Sequence, residues 1–230
     1  KRSTGHLMFV DMHHIVADGM SIGTFMNEFS ALYNGDQLEP IKLQFKDYSE
    51  WLLTCDQTVH RDYWHKVMSN EIPVLDMPLD FKRPQRQSHN GNTINIRTSK
   101  KLRDDLTAFA KQYSATEYMI FLSALMVLLS KYSRQEDIIV GTTISGRTHK
   151  DTEKMMGMFV NTLAIRGYPA AEKTCSQFVQ ETVQDCLKAY EHQEYPFDEL
   201  VESLNVKRDI SRNPLFDVML VSQNNETARY

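Results

Sequence analysis

The sequence predicts a mixed α/β layered fold, and three observations predict it. Short apolar runs of strand length recur along the 230 residues. Longer stretches with apolar residues at helical spacing stand between them. The two alternate without a regular strand–helix repeat or an internal repeat, as in layered folds that mix both element types.

In chain order, Leu7-Met8-Phe9-Val10-Asp11-Met12 has the apolar content of a buried strand. After Asp18-Gly19, Ile22, Phe25, Met26, Phe29, Leu32 and Tyr33 recur at helical spacing until Asn34-Gly35 stops them. Residues 45–67 read as one long or broken helix with Tyr48, Trp51, Leu52, Tyr63 and Trp64. Residues 71–92 hold three of the seven prolines and read as a linker or a surface crossing. Residues 93–98 alternate, Ile94 and Ile96 against Asn95 and Arg97, as a half-exposed strand does.

Ser99 is placed to cap a helix whose buried face is Leu102, Leu106, Phe109, Ala110 and Tyr113. Ser114-Ala115-Thr116-Glu117 has capping-box spacing and opens a strongly apolar helix to about residue 132. Residues 138–140 and 158–165 are predicted strands, and 175–190 an amphipathic helix. Pro196 suits the first turn of a short helix to residue 204. Residues 214–221 are predicted to close the chain as an apolar strand.

Hydrophobic residues at 41% and charged residues at 24% describe an ordinary globular composition. A net charge of −4 is too balanced for a nucleic-acid or anionic-membrane footprint, so neither partner is expected. Cys55, Cys175 and Cys186 are odd in number and widely spread, which reads as reduced thiols rather than a disulfide framework. The longest apolar run, 119–129, is too short for a transmembrane helix, and no signal-peptide core follows Lys1-Arg2-Ser3-Thr4-Gly5-His6. The expected location is the cytoplasm.

Chemistry concentrates at His13-His14-Ile15-Val16-Ala17-Asp18-Gly19. There two imidazoles, a carboxylate and a glycine fall where the predicted first strand turns into the predicted first helix. An imidazole beside an acidic residue at such a corner takes up a proton without a metal or a cofactor. Taken alone, the pattern equally describes a polar strand end with a packed or exposed histidine. His60 and His65 lie five apart on a predicted helix, a poor spacing for shared metal ligation, and no cluster has metal-site geometry.

Other segments join this corner in a family pattern. The corner resembles the central motif of condensation domains of non-ribosomal peptide synthetases, within the chloramphenicol-acetyltransferase-like superfamily. Phe45-Lys46-Asp47-Tyr48-Ser49-Glu50-Trp51 is similar to that family's Tyr-x-Asp-Tyr-Ala-x-Trp segment, with Phe for the first Tyr. Ile139-Val140-Gly141-Thr142-Thr143-Ile144-Ser145-Gly146-Arg147 resembles its Val-Gly-x-Pro-x-Ala-Gly-Arg loop, with Thr143 for Pro and Ser145 for Ala. Met156-Gly157-Met158-Phe159-Val160-Asn161-Thr162-Leu163 is similar to its Phe-Val-Asn-Thr strand. His192-Gln193-Glu194-Tyr195-Pro196-Phe197 matches its His-Gln-x-Tyr-Pro-Phe segment, and Arg208 through Phe216 its Ser-Arg-x-Pro-Leu-Phe segment.

The resemblance implies an α/β, mixed-sheet, acetyltransferase-like two-layer fold, mainly the C-terminal lobe of a two-lobed domain with a tunnel between the lobes. Residues 1–70 would end the N-terminal lobe, 71–92 would link or cross, and 93–230 would form an incomplete C-terminal lobe. Because the family's first motifs and last strands are missing, the chain is expected to be truncated at both ends.

The implied activity is peptide-bond formation between carrier-tethered aminoacyl or peptidyl thioesters, the acceptor amine attacking the donor thioester. The implied partners are donor and acceptor peptidyl carrier proteins and an adjacent adenylation domain of the same synthetase. No cofactor would bind directly; phosphopantetheine arms would arrive on the carriers. His14 would be the central catalytic group. Gly19 would act beside it, permitting a tight turn or donating its backbone N–H near the reacting carbonyl. His13 would face inward as structure, and Asp18 would pair with Arg147 to lock the histidine loop to the other lobe. Ser21 and Asn161 would line the tunnel, although a structural hydrogen-bond network explains Asn161 equally well. Helix packing accounts for Asp47, Tyr48 and Trp51, and a hydrogen bond at the start of a helix for His192.

Two alternatives stand beside this reading. One is a non-catalytic, condensation-like module that docks carriers. The other is a coenzyme-A-dependent acyltransferase, which the later motifs fit less well. The histidine pair argues against a heterocyclisation domain, which carries aspartates there.

Overall fold

The computed structural model of the chain describes residues 5–88, 90–206 and 209–223. Residues 1–4 and Arg208 of the last motif lie outside them. The elements are α1 (Gly19–Tyr33), α2 (Phe45–Thr54), α3 (Thr58–Val67), α4 (Lys100–Gln112), α5 (Glu117–Ser133), β1 (Ile138–Ile144), a 3-10 turn (Lys150–Thr152), β2 (Asn161–Gly167), α6 (Cys175–Glu191), α7 (Phe197–Ser203) and β3 (Val218–Met219). They divide into two compact units, residues 1–56 with 145–160, and residues 57–144 with 161–230. The predicted division at residues 70 and 92 does not follow these units, because α3 belongs with the second.

The second unit is a mixed α/β arrangement around a three-stranded sheet of order β2-β1-β3. β1 runs antiparallel to β2, from Ile138 opposite Gly167 to Ile144 opposite Asn161, and parallel to β3. The near-continuous apolar run of β1 is what a strand covered on both faces requires. Leu122 and Met126 of α5, Ile138 and Val140 of β1, Leu163 and Ile165 of β2, Cys186 of α6, and Leu215 are buried together. Gly141 is glycine because the Phe216 ring lies where a side chain would start: a Cβ there would stand 2.4 Å from Phe216 Cε2.

Side-chain caps fix the starts of α4, α5 and α6. Ser99 caps α4 by accepting from Leu102 N at 3.2 Å, and Thr174 and Gln177 form a reciprocal capping box on α6. α5 is capped by Thr116, which accepts from Met119 N, and not by Ser114, whose φ of 51° sets it in the turn before the helix. Residues 45–67, which read as one long or broken helix, form a broken one. Cys55 is extended (ψ 140°), and the Thr54 hydroxyl turns back onto Trp51 O at 2.9 Å, closing α2 before α3 begins.

Arg166 of β2 anchors the start of the proline-rich crossing. Its side chain is 1% exposed and donates to Asp137 Oδ1 and Oδ2 at 2.9 and 2.6 Å, to Val67 O at 3.2 Å and to Glu71 O at 2.8 Å. The bond to Asp137 raises the guanidinium further above its ordinary range, outweighing the opposing effect of burial.

The predicted strands at 7–12 and 93–98 do not form. A strand persists only against a neighbour that takes up its N–H and C=O groups, and among the described residues none pairs along either segment. Phe9, Ile94 and Ile96 are accordingly exposed. The closing strand shrinks to β3 for the same reason, and β2 begins at Asn161 rather than at 158. No single helix among the described residues is long and apolar enough to cross a membrane.

Candidate active site

The histidine corner lies within the first unit. The chain turns at His13, whose carbonyl accepts from Val16 N at 3.1 Å and whose Nδ1 accepts from Ile15 N at 3.1 Å. That turn keeps both rings outside. His13, expected to face inward, is exposed, and its Nδ1 is taken up by the backbone N–H of Ile15. His14 follows on the bend of the turn and is exposed as well, whereas Ala17 and Asp18 are buried.

Asp18 is the N-cap of α1, extended in backbone, with Oδ1 accepting from Ser21 N at 2.8 Å. Its carboxylate meets Arg147, and both side chains are 2% exposed. Nη2 of Arg147 reaches both carboxylate oxygens, at 2.9 and 3.1 Å, so a single nitrogen bridges them instead of a two-nitrogen fork. Nη1 is turned the other way, donating to the carbonyls of Thr152 and Met155. The guanidinium carbon stands 4.1 Å over the Phe159 ring, a desolvated cation–π contact. The pair was expected to join two lobes. It instead closes residues 145–160 onto the histidine turn inside one unit.

Ser21 completes this cage and, being fully buried, does not line an open channel as expected. Its hydroxyl lies 2.8 Å from Gly157 O and 2.9 Å from Asp18 Oδ1, and accepts from Gly157 N at 3.0 Å and Arg147 Nη2 at 3.1 Å. Phe159 N adds a donor to Asp18 Oδ2 at 3.3 Å, and Asp18 N donates to Gly157 O at 3.2 Å. Burial alone pushes the Asp18 carboxyl up. The donors from Ser21, Arg147 and Phe159 together outweigh it and hold the group below its ordinary value of 3.8. The carboxylate is therefore ionised and fully engaged.

Gly157 and Phe159, to which the motif assigns no role, are parts of the cage. Phe159 packs edge-on to Phe45, centroids 5.0 Å apart, and against Tyr48 at 4.8 Å. A Cβ on Gly157 would stand 2.2 Å from the Phe45 ring. We expect Gly157→Ala to displace Phe45 and to cost about 1–3 kcal/mol of stability by overpacking. The measurement is the midpoint of thermal unfolding against the unaltered chain. Trp51 of the same helix packs on His149, centroids 5.6 Å apart, and Asp47 caps α2 by accepting from Gln44 N.

Gly19 is not required by shape, contrary to expectation: a Cβ there would meet nothing within 4 Å. What it offers is position, as the first residue of α1, whose leading N–H groups have no acceptor within the helix.

Asn161 belongs to the second unit, and its amide is used on all sides. Nδ2 donates to Gln193 O and Tyr195 O, both at 2.8 Å, and Oδ1 accepts from Thr162 N at 2.8 Å and Phe197 N at 3.2 Å. It builds the turn from α6 to α7. His192 does not cap the start of a helix as expected. It closes α6 at its C-terminus, and its ring meets His60. Among the described residues no group of three or more His, Cys, Asp or Glu side chains is placed to hold a metal ion.

Comparison with known proteins accords with this arrangement. The family model described as Condensation domain matches residues 1–229. Tyrocidine synthase 3 of Brevibacillus parabrevis is 48% identical over 229 residues, which is 98% of this chain and 4% of that protein. Bacitracin synthase 1 of Bacillus licheniformis is 47% identical over 225 residues, again 96% of this chain and 4% of the relative. The chain thus spans a small fraction of the length of these relatives. Among solved structures, a four-domain nonribosomal peptide synthetase in its holo form, bound to AMP and glycine, superimposes with a TM-score of 0.84 at 28% identity, over 94% of this chain and 17% of that one. The X-domain from teicoplanin biosynthesis shares the fold, with a TM-score of 0.81 at 24% identity over 90% of this chain and 49% of that one. With a matching family model along nearly its whole length and the acyltransferase-like mixed α/β fold, the chain belongs to the condensation-domain family of nonribosomal peptide synthetases.

Proposed function

We propose that the chain takes part in peptide-bond formation between thioesters tethered to two carrier proteins, with His14 as the central polar group. The observation that carries this reading is the contrast within one corner: an exposed imidazole at His14, four positions before a buried, fully bonded Asp18. A neutral amine already attacks thioesters readily, so the imidazole's work is to hold the amine and to receive its proton.

In the proposed step the acceptor's α-amine adds to the donor's thioester carbonyl. The nitrogen becomes positive and the oxygen negative. His14 takes a proton from that nitrogen as the tetrahedral intermediate forms. Collapse breaks the carbon–sulfur bond, and the departing thiolate recovers a proton, leaving the amide on the acceptor. The N–H of Gly19, at the positive end of α1, is assigned to the developing oxyanion. Asp18 and Arg147, with Ser21 and Gly157, hold the turn and transfer no proton. His13 shapes the turn through its ring nitrogen.

The reacting groups would arrive as phosphopantetheine thioesters on donor and acceptor peptidyl carrier proteins, with no cofactor bound by the chain itself. An adenylation domain of the same synthetase would load the acceptor. We place the reaction in the cytoplasm, in keeping with three unpaired cysteines. The test is to supply one carrier bearing an N-acylated aminoacyl thioester and a second bearing a free aminoacyl thioester. Dipeptidyl thioester on the second carrier is the expected product. Carrier binding without product would make the chain a docking platform.

A further inference from the structure

We propose that His60 and His192 form a shared-proton clasp that fastens the start of α3 to the end of α6 and opens when both rings are protonated. Both residues lie in the second unit, away from the histidine turn. Their Nδ1 atoms face each other at 3.1 Å, with ring planes inclined at 72°. Because two ring nitrogens face each other, the bond requires one ring to donate from Nδ1 and the other to accept with its lone pair.

The surroundings fix the rings in that relation. Tyr63, one turn along α3 from His60, stacks on His192 with centroids 4.2 Å apart and planes at 16°. Trp64 Nε1 donates to His192 O at 2.9 Å. On its far side the turn after His192 is held by Asn161, through Gln193 O and Tyr195 O. Opening the clasp therefore frees the first turn of α3 and leaves the α6–α7 turn in place.

Around the pair, α3 contributes His60 and Tyr63, and burial together with Asp185, Cys186 and Glu191 pushes the Tyr63 phenol up, so that it stays neutral. α6 contributes Glu191, which favours a charged His192, while Glu194 follows in the turn and Asp56 precedes α3. Burial and then the His60 charge outweigh Glu191 and lower His192 from its ordinary 6.5.

One proton between the rings makes the bond. Protonating both rings puts two N–H groups and two positive charges face to face. Below the ordinary histidine pKa the unfolded chain binds a proton on each ring, whereas the clasp resists the second. The unfolded state then binds more protons, so stability is full above about pH 6.5 and declines as pH falls through the lowered pKa.

Ring 1H–15N spectra of the unaltered 230-residue chain, taken from pH 8 to 4.5, test this directly. The expected result is a 15N–15N coupling across the Nδ1–H···Nδ1 bond at pH 8 that is lost as the pH falls, with His192 taking up its proton below the ordinary histidine value. Alongside it, the folding equilibrium constant of the unaltered chain should fall between about pH 6.5 and 5 by up to tenfold per pH unit more than that of His60→Phe. No coupling between the two Nδ1 atoms at pH 8, or a coupling that persists at pH 4.5, overturns the clasp, and so do equal slopes in the two proteins. The spectra decide the matter without any variant if His60→Phe does not fold.

Discussion

Replacing Asp18 by Ala should melt the first unit, with a loss of about 3–5 kcal/mol, the cost of leaving a buried charge without its partner. The stranded group is Arg147, whose side chain is 2% exposed and whose Nε already lacks a hydrogen-bond partner among the described residues. Ser21 N and Phe159 N lose their acceptor in the same change. Single-domain stabilities run to only about 5–15 kcal/mol, so the expected outcome is low solubility or a much reduced melting temperature. The same carboxylate gives an acid limb. Its pKa is lowered in the folded chain, so the unfolded chain binds more protons as pH drops. The contribution is whole above the ordinary value of 3.8 and is lost as pH falls through the depressed one. Acid titration of folding should show this limb, and Asp18→Ala should lack it.

His14→Ala should do the opposite: leave folding alone and slow the chemistry. The ring is exposed, and removing it vacates no buried bond. Proton transfer by a positioned side chain supplies about 10²–10⁴-fold, so turnover should fall by that factor. Holding two carrier-borne reactants in line is worth far more, with effective molarities of about 10⁵–10⁸ M, and it survives in the variant wherever the rest of the site still aligns them. Residual transfer above the uncatalysed rate is therefore part of the expectation. Carrier affinity, measured by titration, should be unchanged.

Much of the second unit was legible in the sequence because its elements are locally determined. Ser99 and the apolar spacing of 175–190 mark helices that need no distant partner to be read. Residues 7–12 and 93–98 look equally decisive in composition, yet strand formation depends on a neighbour, which composition does not encode. The break at Cys55 was open in the sequence and is settled by a side-chain hydroxyl closing α2.

At the candidate site the pairing of Asp18 with Arg147 could be anticipated from the motifs, but its setting could not. Gly157 meets Ser21 across 136 positions, and nothing near either residue announces it. Gly19 looked sterically constrained by its place beside the histidines, whereas the crowded glycine is Gly157. His60 and His192 stand 132 positions apart, a separation at which spacing along one helix says nothing.

The division of labour between residues 14 and 18 is best tested by measuring, in the same samples, the folded fraction and the single-turnover rate of transfer between two loaded carriers. His14→Ala is predicted to be fully folded and slow, and Asp18→Asn to transfer in proportion to whatever fraction folds. An unchanged rate in His14→Ala, or an Asp18→Asn protein that is fully folded and inactive, would contradict the account.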